Sequence, residues 1–210
     1  MYLTGSVGVA VEPALDSGEI GYLRAPGGGR SLRPGWVWAA DNGVFGKGWP
    51  GYEKWLAWLD AHSTEERTRC LFATAPDVVG DHEATVERSL PWLPKIRALG
   101  YPAAFVLQNG ATIDNVPWET FDVAFVGGDD AFKLGGADDL ICEAQRRGKH
   151  VHVGRVNSGK RYQRFAQMGV DSCDGTFLAF GPELLTPVLL SWVRKHATHP
   201  TLWMEIPCWT

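Results

Sequence analysis

The chain alternates, and the alternation limits its folds more than any other feature. Short apolar, β-rich runs end in Gly, Asp, Pro or Asn, and a helical stretch follows most of them. The runs at 2–8, 20–25, 36–42, 70–75, 103–108, 123–127, 150–156 and 171–177 read as strands. Continuous runs such as Ala-Ala-Phe-Val-Leu and Val-Ala-Phe-Val suit parallel strands buried on both faces. Helices fit at 52–62, 81–99, 137–147, 161–168 and 182–196. Gly100, Gly148 and Gly169 stand where a helix would end, and Pro91 and Pro94 break or kink the second helix. Eight strands with helices between them point to an α/β fold, a compact (β/α)8 TIM-type barrel. The chain is short for that fold, so some crossovers must be short or lack helices, the first two above all. The alternative is an open doubly wound sheet. Against it, no Gly-x-Gly-x-x-Gly follows the first strand, and Gly27-Gly28-Gly29 precedes no convincing helix.

At 210 residues, with 45% hydrophobic and 21% charged residues, one domain spanning 1–210 can bury its own core. Residues 198–210, with Trp203 and Trp209, read as a tail that packs on the barrel or on a partner, and a homodimer is a separate expectation. No apolar run is long enough for a membrane span, and no secretory signal is evident. Cys70, Cys142, Cys173 and Cys208 are scattered without a Cys-x-x-Cys pair, which fits reduced thiols in a cytoplasmic protein. The net charge of −4 does not suggest a general nucleic-acid binder. However, residues 145–170 contain no acid, and Arg146, Arg147, Lys149, Arg155, Lys160, Arg161 and Arg164 fall there. That strip is either a phosphate-facing surface or a solvated helix face.

In a parallel barrel, chemistry collects where the strands end. The third strand ends in Asp41-Asn42-Gly43, the fourth in Pro76-Asp77, and the fifth in Gln108-Asn109-Gly110. The sixth ends in Gly127-Gly128-Asp129-Asp130 and the seventh in Gly154-Arg155-Val156-Asn157. The eighth contains Asp171-Ser172-Cys173-Asp174-Gly175. Each is also ordinary turn or cap chemistry. Together they gather carboxylates, amides, an arginine and glycines at one rim. Two carboxylates at one site can do glycosyl chemistry, one as nucleophile and one as acid and then base. A Gln and a further Asp can read a purine edge.

The ordered motifs Asp-Asn-Gly-Val-Phe (41–45), Ala-Pro-Asp (75–77), Leu-Gln-Asn-Gly (107–110), Val-Gly-Gly (126–128), His-Val-Gly-Arg-Val (152–156) and Gly-Val-Asp-Ser-Cys-Asp-Gly (169–175) resemble the queuine/archaeosine tRNA-guanine transglycosylase superfamily. They are most similar to its small bacterial and phage branch, the 7-deazapurine DNA transglycosylases, over about residues 36–182. The resemblance implies a (β/α)8 barrel that exchanges guanine in nucleic acid for a 7-deazaguanine, with no cofactor. It implies Asp41 as general acid/base and Asp174 as nucleophile. It also implies Asp77 and Gln108 as readers of the base, with Gly127 and Gly128 contacting it through backbone and Gly154 on the pocket floor.

The sequence departs from the family at Asn42, Val44 and Gly46, and the zinc site of the tRNA enzymes is absent. This favours DNA over tRNA as partner. Arg155 is expected to meet a carboxylate or phosphate, and Lys160 and Arg161 to meet backbone phosphates. His152 reads either as a ligand contact or as a barrel-interior histidine. Asp129 and Asp130 read as solvated loop charges, and Trp49 and Trp118 as candidates for stacking on a base. No role for Lys133 derives from the motifs, and contact with a phosphate or sugar is the one reading offered for it. Three rival readings stay open: hydrolysis by the same carboxylates, a non-catalytic nucleic-acid-binding barrel, and a metal-dependent hydrolase.

Overall fold

The computed structural model describes residues 1–44 and 49–198. Its eight strands are β1 (Tyr2–Thr4), β2 (Gly21–Arg24), β3 (Trp38–Ala40), β4 (Cys70–Thr74), β5 (Ala103–Leu107), β6 (Val123–Val126), β7 (His150–Val153) and β8 (Ser172–Gly175). All pair in parallel and in chain order, and β8 returns to β1 to close a barrel. In the closing register Leu3 lies opposite Asp174.

The helices are α1 (Glu12–Asp16), α2 (Tyr52–Asp60), α3 (Thr64–Thr68), α4 (His82–Ser89), α5 (Leu93–Ala98), α6 (Asp138–Arg146), α7 (Gly159–Gln167) and α8 (Pro182–Thr198). The first crossover carries only the five-residue α1, and no helix stands between β2 and β3. The barrel with shortened crossovers is therefore the fold. The single helix expected over 81–99 is two, because Pro91 and Pro94 cannot donate the backbone bonds that a continuous helix would need. The short α3 was not expected. A capping box builds it: the Ser63 hydroxyl accepts from the Glu66 amide, and the Glu66 carboxylate accepts from the Ser63 amide.

Strand side chains alternate between two cores. One set, including Trp38, Ala73, Phe105, Leu107, Val126, Val151 and Val153, faces the helices. The other set, Leu3, Ala39, Phe72, Ala104 and Val123, fills the barrel interior with Leu23 and Phe125 packed against it. Continuing the second set up each strand reaches the rim, where Asp41 follows Ala39, Gln108 follows Ala104 and Val106, and Asp174 follows Ser172. The alternation that packs the core is what brings these polar groups to one mouth.

The tryptophans largely support the outer core. Trp36, Trp38 and Trp55 are fully buried. Trp118 is also core: its indole N–H donates to the Ile113 carbonyl and Arg147 lies over its ring. Trp49 packs on Tyr52 and Trp55. Neither lines the central cavity, so the expectation that they stack on a base is corrected.

Cys70 and Cys173 are free and buried, whereas Cys142 is disulfide-bonded, which corrects the expectation of reduced thiols throughout. Cys208, Trp203, Trp209 and most of the expected tail lie outside the described residues, as do Phe45 and Gly46. No described helix is long and apolar enough to cross a membrane.

Candidate active site

A cavity of about 530 Å³ opens at the C-terminal ends of the strands. Asp41, Asp77, Gln108, Gly127, Gly128, Gly154, Arg155 and Asp174 all line it. Residues separated along the chain by up to two-thirds of its length thus share one space.

The β4–β5 side is a fixed polar chain. Asp77 is buried, and its two carboxylate oxygens accept from Asn42 Nδ2 at 2.8 Å and Gln108 Nε2 at 2.7 Å. Burial pushes the Asp77 carboxyl above its ordinary range, against the pull of those two donors. The Gln108 carbonyl accepts from the backbone amides of Gly80 and Gly128, so its amide plane is locked. Asn42 also donates to the Ala75 carbonyl, tying the β3 end to β4. Gly128 holds φ +69°, where a side chain would be strained and would meet Asn109 and Phe132.

Asp41 stands beyond β3. Burial, then the negative charges of Asp174 and Asp77, raise its carboxyl to about 7. The same carboxyl would titrate near 4 in water, so the cavity holds a proton on it near neutrality.

Asp174, in β8, is oriented from below. His152 Nε2 lies 3.0 Å from its Oδ1. A carboxylate only accepts, so Nε2 donates to Asp174, while Nδ1 is hydrogen-bonded with the Ser172 hydroxyl at 2.9 Å. The same hydroxyl is hydrogen-bonded with His150 Nε2 at 2.7 Å. Phe72 and Phe125 pack on the His152 ring, which has no solvent exposure. His152 is therefore a barrel-interior histidine, but one that grips the cavity carboxylate. Gly154 leaves room here, since a Cβ would press on Phe125 at 2.7 Å and approach Asp174 Oδ1 at 3.4 Å.

Two further cavity groups were not singled out from the sequence as site residues. Thr74 presents a buried hydroxyl without a protein partner. Lys133 sits on the π-helical turn Phe132–Gly136, with its side chain only 3% exposed. Thr74 follows Phe72 by one inward step of β4, a signal visible in the alternation. No periodic pattern marks Lys133.

Lys160 and Arg161, expected to meet backbone phosphates, lie outside the cavity lining. Arg161 is committed to Asp130 through two bonds of 2.6 and 3.1 Å. Asp130 is thus a solvated loop charge, as expected, that also pairs with Arg161. Asp129 accepts from Asn109 and from the Phe132 amide, so it caps the π-turn. Part of the basic strip is paired: Arg146 and Arg147 bind Glu143 and Arg164 binds Asp138, while Lys149 donates to the Phe121 carbonyl. Among the described residues no cluster of three or more His, Cys, Asp or Glu side chains is arranged to hold a metal ion.

No protein-family model matches the chain, and no curated protein matches it. Solved structures are similar in fold. KGPDC from Streptococcus mutans aligns over 92% of this chain and 96% of its own, at 13% identity and a TM-score of 0.57. Phosphoribosyl anthranilate isomerase from Thermus thermophilus aligns over 95% and 98%, at 14% identity and a TM-score of 0.55. At such identities the likeness is one of architecture: this chain is similar to these TIM-barrel proteins in fold.

Proposed function

We propose that this chain is a base-exchange glycosyltransferase. It replaces guanine in nucleic acid, DNA above all, with a 7-deazaguanine-type base through a covalent aspartyl intermediate. The observation that carries this reading is the pairing of two unlike carboxyls on one cavity. Asp41 is held as an acid to about pH 7, and Asp174 is aimed by a histidine donor.

Asp174 attacks C1′ as the bond from C1′ to the base nitrogen breaks. Asp41 gives its proton to the departing guanine, so the base leaves neutral and Asp41 becomes a carboxylate. The incoming base then attacks C1′, the ester to Asp174 breaks, and Asp41 takes the proton that the new base gives up. Both carboxyls return to their starting states.

The rest of the lining suits a purine. Val106 and Phe125 supply apolar surface for a flat ring, and Asp77, Gln108 and the Gly127-Gly128 backbone supply a hydrogen-bonding edge. A cavity of this volume takes a base with its sugar, so the target nucleotide would be flipped out of the stack.

Intact-mass spectrometry of the protein mixed with guanine-containing DNA tests the reading. The expected result is an adduct with wild type that is absent with Asp174→Asn, together with incorporation of labelled guanine. Abasic sites without incorporation would make the protein an N-glycosidase. Nucleic-acid binding with neither product would make it a non-catalytic barrel.

A further inference from the structure

We infer that Lys133 and Arg155 form a phosphate subsite at the mouth of the cavity, beside Asp174, for a phosphate carried by the sugar under attack. The inference deepens the base-exchange reading and rests on it for the identity of the sugar.

Lys133 is the first ground. Its side chain is 3% exposed, yet it lines the cavity. Among the described residues its ammonium makes no hydrogen bond, and its ion-pair partner, Asp130 Oδ1, stands 3.7 Å away. Asp130 is already engaged by the Arg161 guanidinium through both oxygens. An ammonium that lines the cavity without a hydrogen-bond acceptor is open to an anion there, which would give it charge-assisted bonds. Burial, then repulsion from Arg155, pushes the Lys133 ammonium below its ordinary range. Two cations are therefore held near each other against their repulsion.

The Arg155 backbone is the second ground. Among the described residues it alone, apart from glycines, has a positive φ, at 63°. Such backbone persists only where neighbours impose it. Here they do: the Val156 amide donates to the Asp174 carbonyl at 2.6 Å, and Asn157 Oδ1 accepts from the Thr176 amide at 2.8 Å. The loop that carries Arg155 is pinned to the strand that carries Asp174.

Position sets the ligand. Arg155 follows the end of β7 and Lys133 lies in the loop after β6, whereas Asp174 belongs to β8 itself. All three line one cavity, the cations on loops that follow their strands and the carboxylate within its strand. A sugar with C1′ on Asp174 would turn its phosphate toward them. The shared chemistry is a sugar phosphate, either a terminal monoester or a linkage in a strand.

Binding of deoxyguanosine, deoxyguanosine 5′-monophosphate and a short guanine-containing oligonucleotide to the full chain tests this by calorimetry. Wild type is expected to prefer the phosphorylated ligands. Lys133→Met keeps the stem and removes the charge, and should weaken them about 10- to 100-fold while changing deoxyguanosine less than about twofold. Loss for the monophosphate marks a monoester site, and loss for the oligonucleotide alone marks a strand linkage. Should Lys133→Met disturb folding, Arg155→Gln at the exposed rim is expected to show the same selective loss. Equal affinity of wild type for all three ligands, or equal losses for nucleoside and nucleotide, would overturn the subsite. Lys133-dependent phosphate binding without any Asp174 adduct would keep the subsite and remove base exchange.

Discussion

The inner wall of the barrel has two unlike sectors. From β1 to β6 it is largely apolar, with Leu3, Leu23, Ala39, Phe72, Ala104, Val123 and Phe125, and with Thr74 as a polar exception on β4. Across β7 and β8 it is a polar column, in which His150, Ser172 and His152 hydrogen-bond in series beneath Asp174. Apolar side chains fill an interior more cheaply than a buried column that must satisfy each donor. The column therefore points to a purpose other than cohesion, and its top end shows which: it aims one carboxylate. The apolar sector fills the barrel, and the polar sector orients Asp174.

That division can be broken by mutation. Asp174→Asn should lower exchange and adduct formation by at least about 1,000-fold, measured with labelled guanine, while the thermal transition stays in place. A comparable loss of stability would mean that the column is structural after all. Phe72→Ala should do the opposite. It opens a void against Phe125 and His152, and should cost about 3–5 kcal/mol in denaturant unfolding.

His152→Leu sharpens the comparison, because it removes the donor but keeps the bulk. Adduct formation should slow about 10- to 100-fold with little change in KM, and stability should move by less than about 1 kcal/mol. His152→Gln, which retains an N–H donor, should recover part of the rate. The smallest effect is pH-linked. The Asp41 carboxyl is raised on folding, so the folded state keeps a proton that the unfolded chain has already released above about pH 4. Stability should fall as pH rises from about 4 to about 7, and Asp41→Asn should flatten that slope and gain roughly 1–2 kcal/mol at pH 8. An unchanged slope in Asp41→Asn would show that the carboxyl does not hold its proton.

The fold was legible because each strand is a short apolar run ended by a turn residue, and closure follows once eight such runs alternate with crossovers. Asp41, Asp77, Gln108 and Asp174 were legible for the same reason, as polar residues at the ends of those runs. Their hydrogen-bond network was not. His152 meets Asp174 only through the register that sets His152 opposite Ser172, and no local pattern in either strand reveals it. Lys133 was illegible because a π-turn has no signature that the spacing of apolar residues can report. The Arg161 ion pair was illegible because an exposed cation after a strand looks alike whether it awaits a phosphate or already holds Asp130.

The pairing of Leu3 with Asp174 carries a consequence for how the molecule comes into being. Asp41, Asp77 and Gln108 all leave the ribosome well before the eighth strand, yet none of them faces a finished chamber until the last strand finds the first. Such distant pairing is slow. The chamber thus stays open through most of its synthesis, and Asp174 arrives together with the seam that seals the ring.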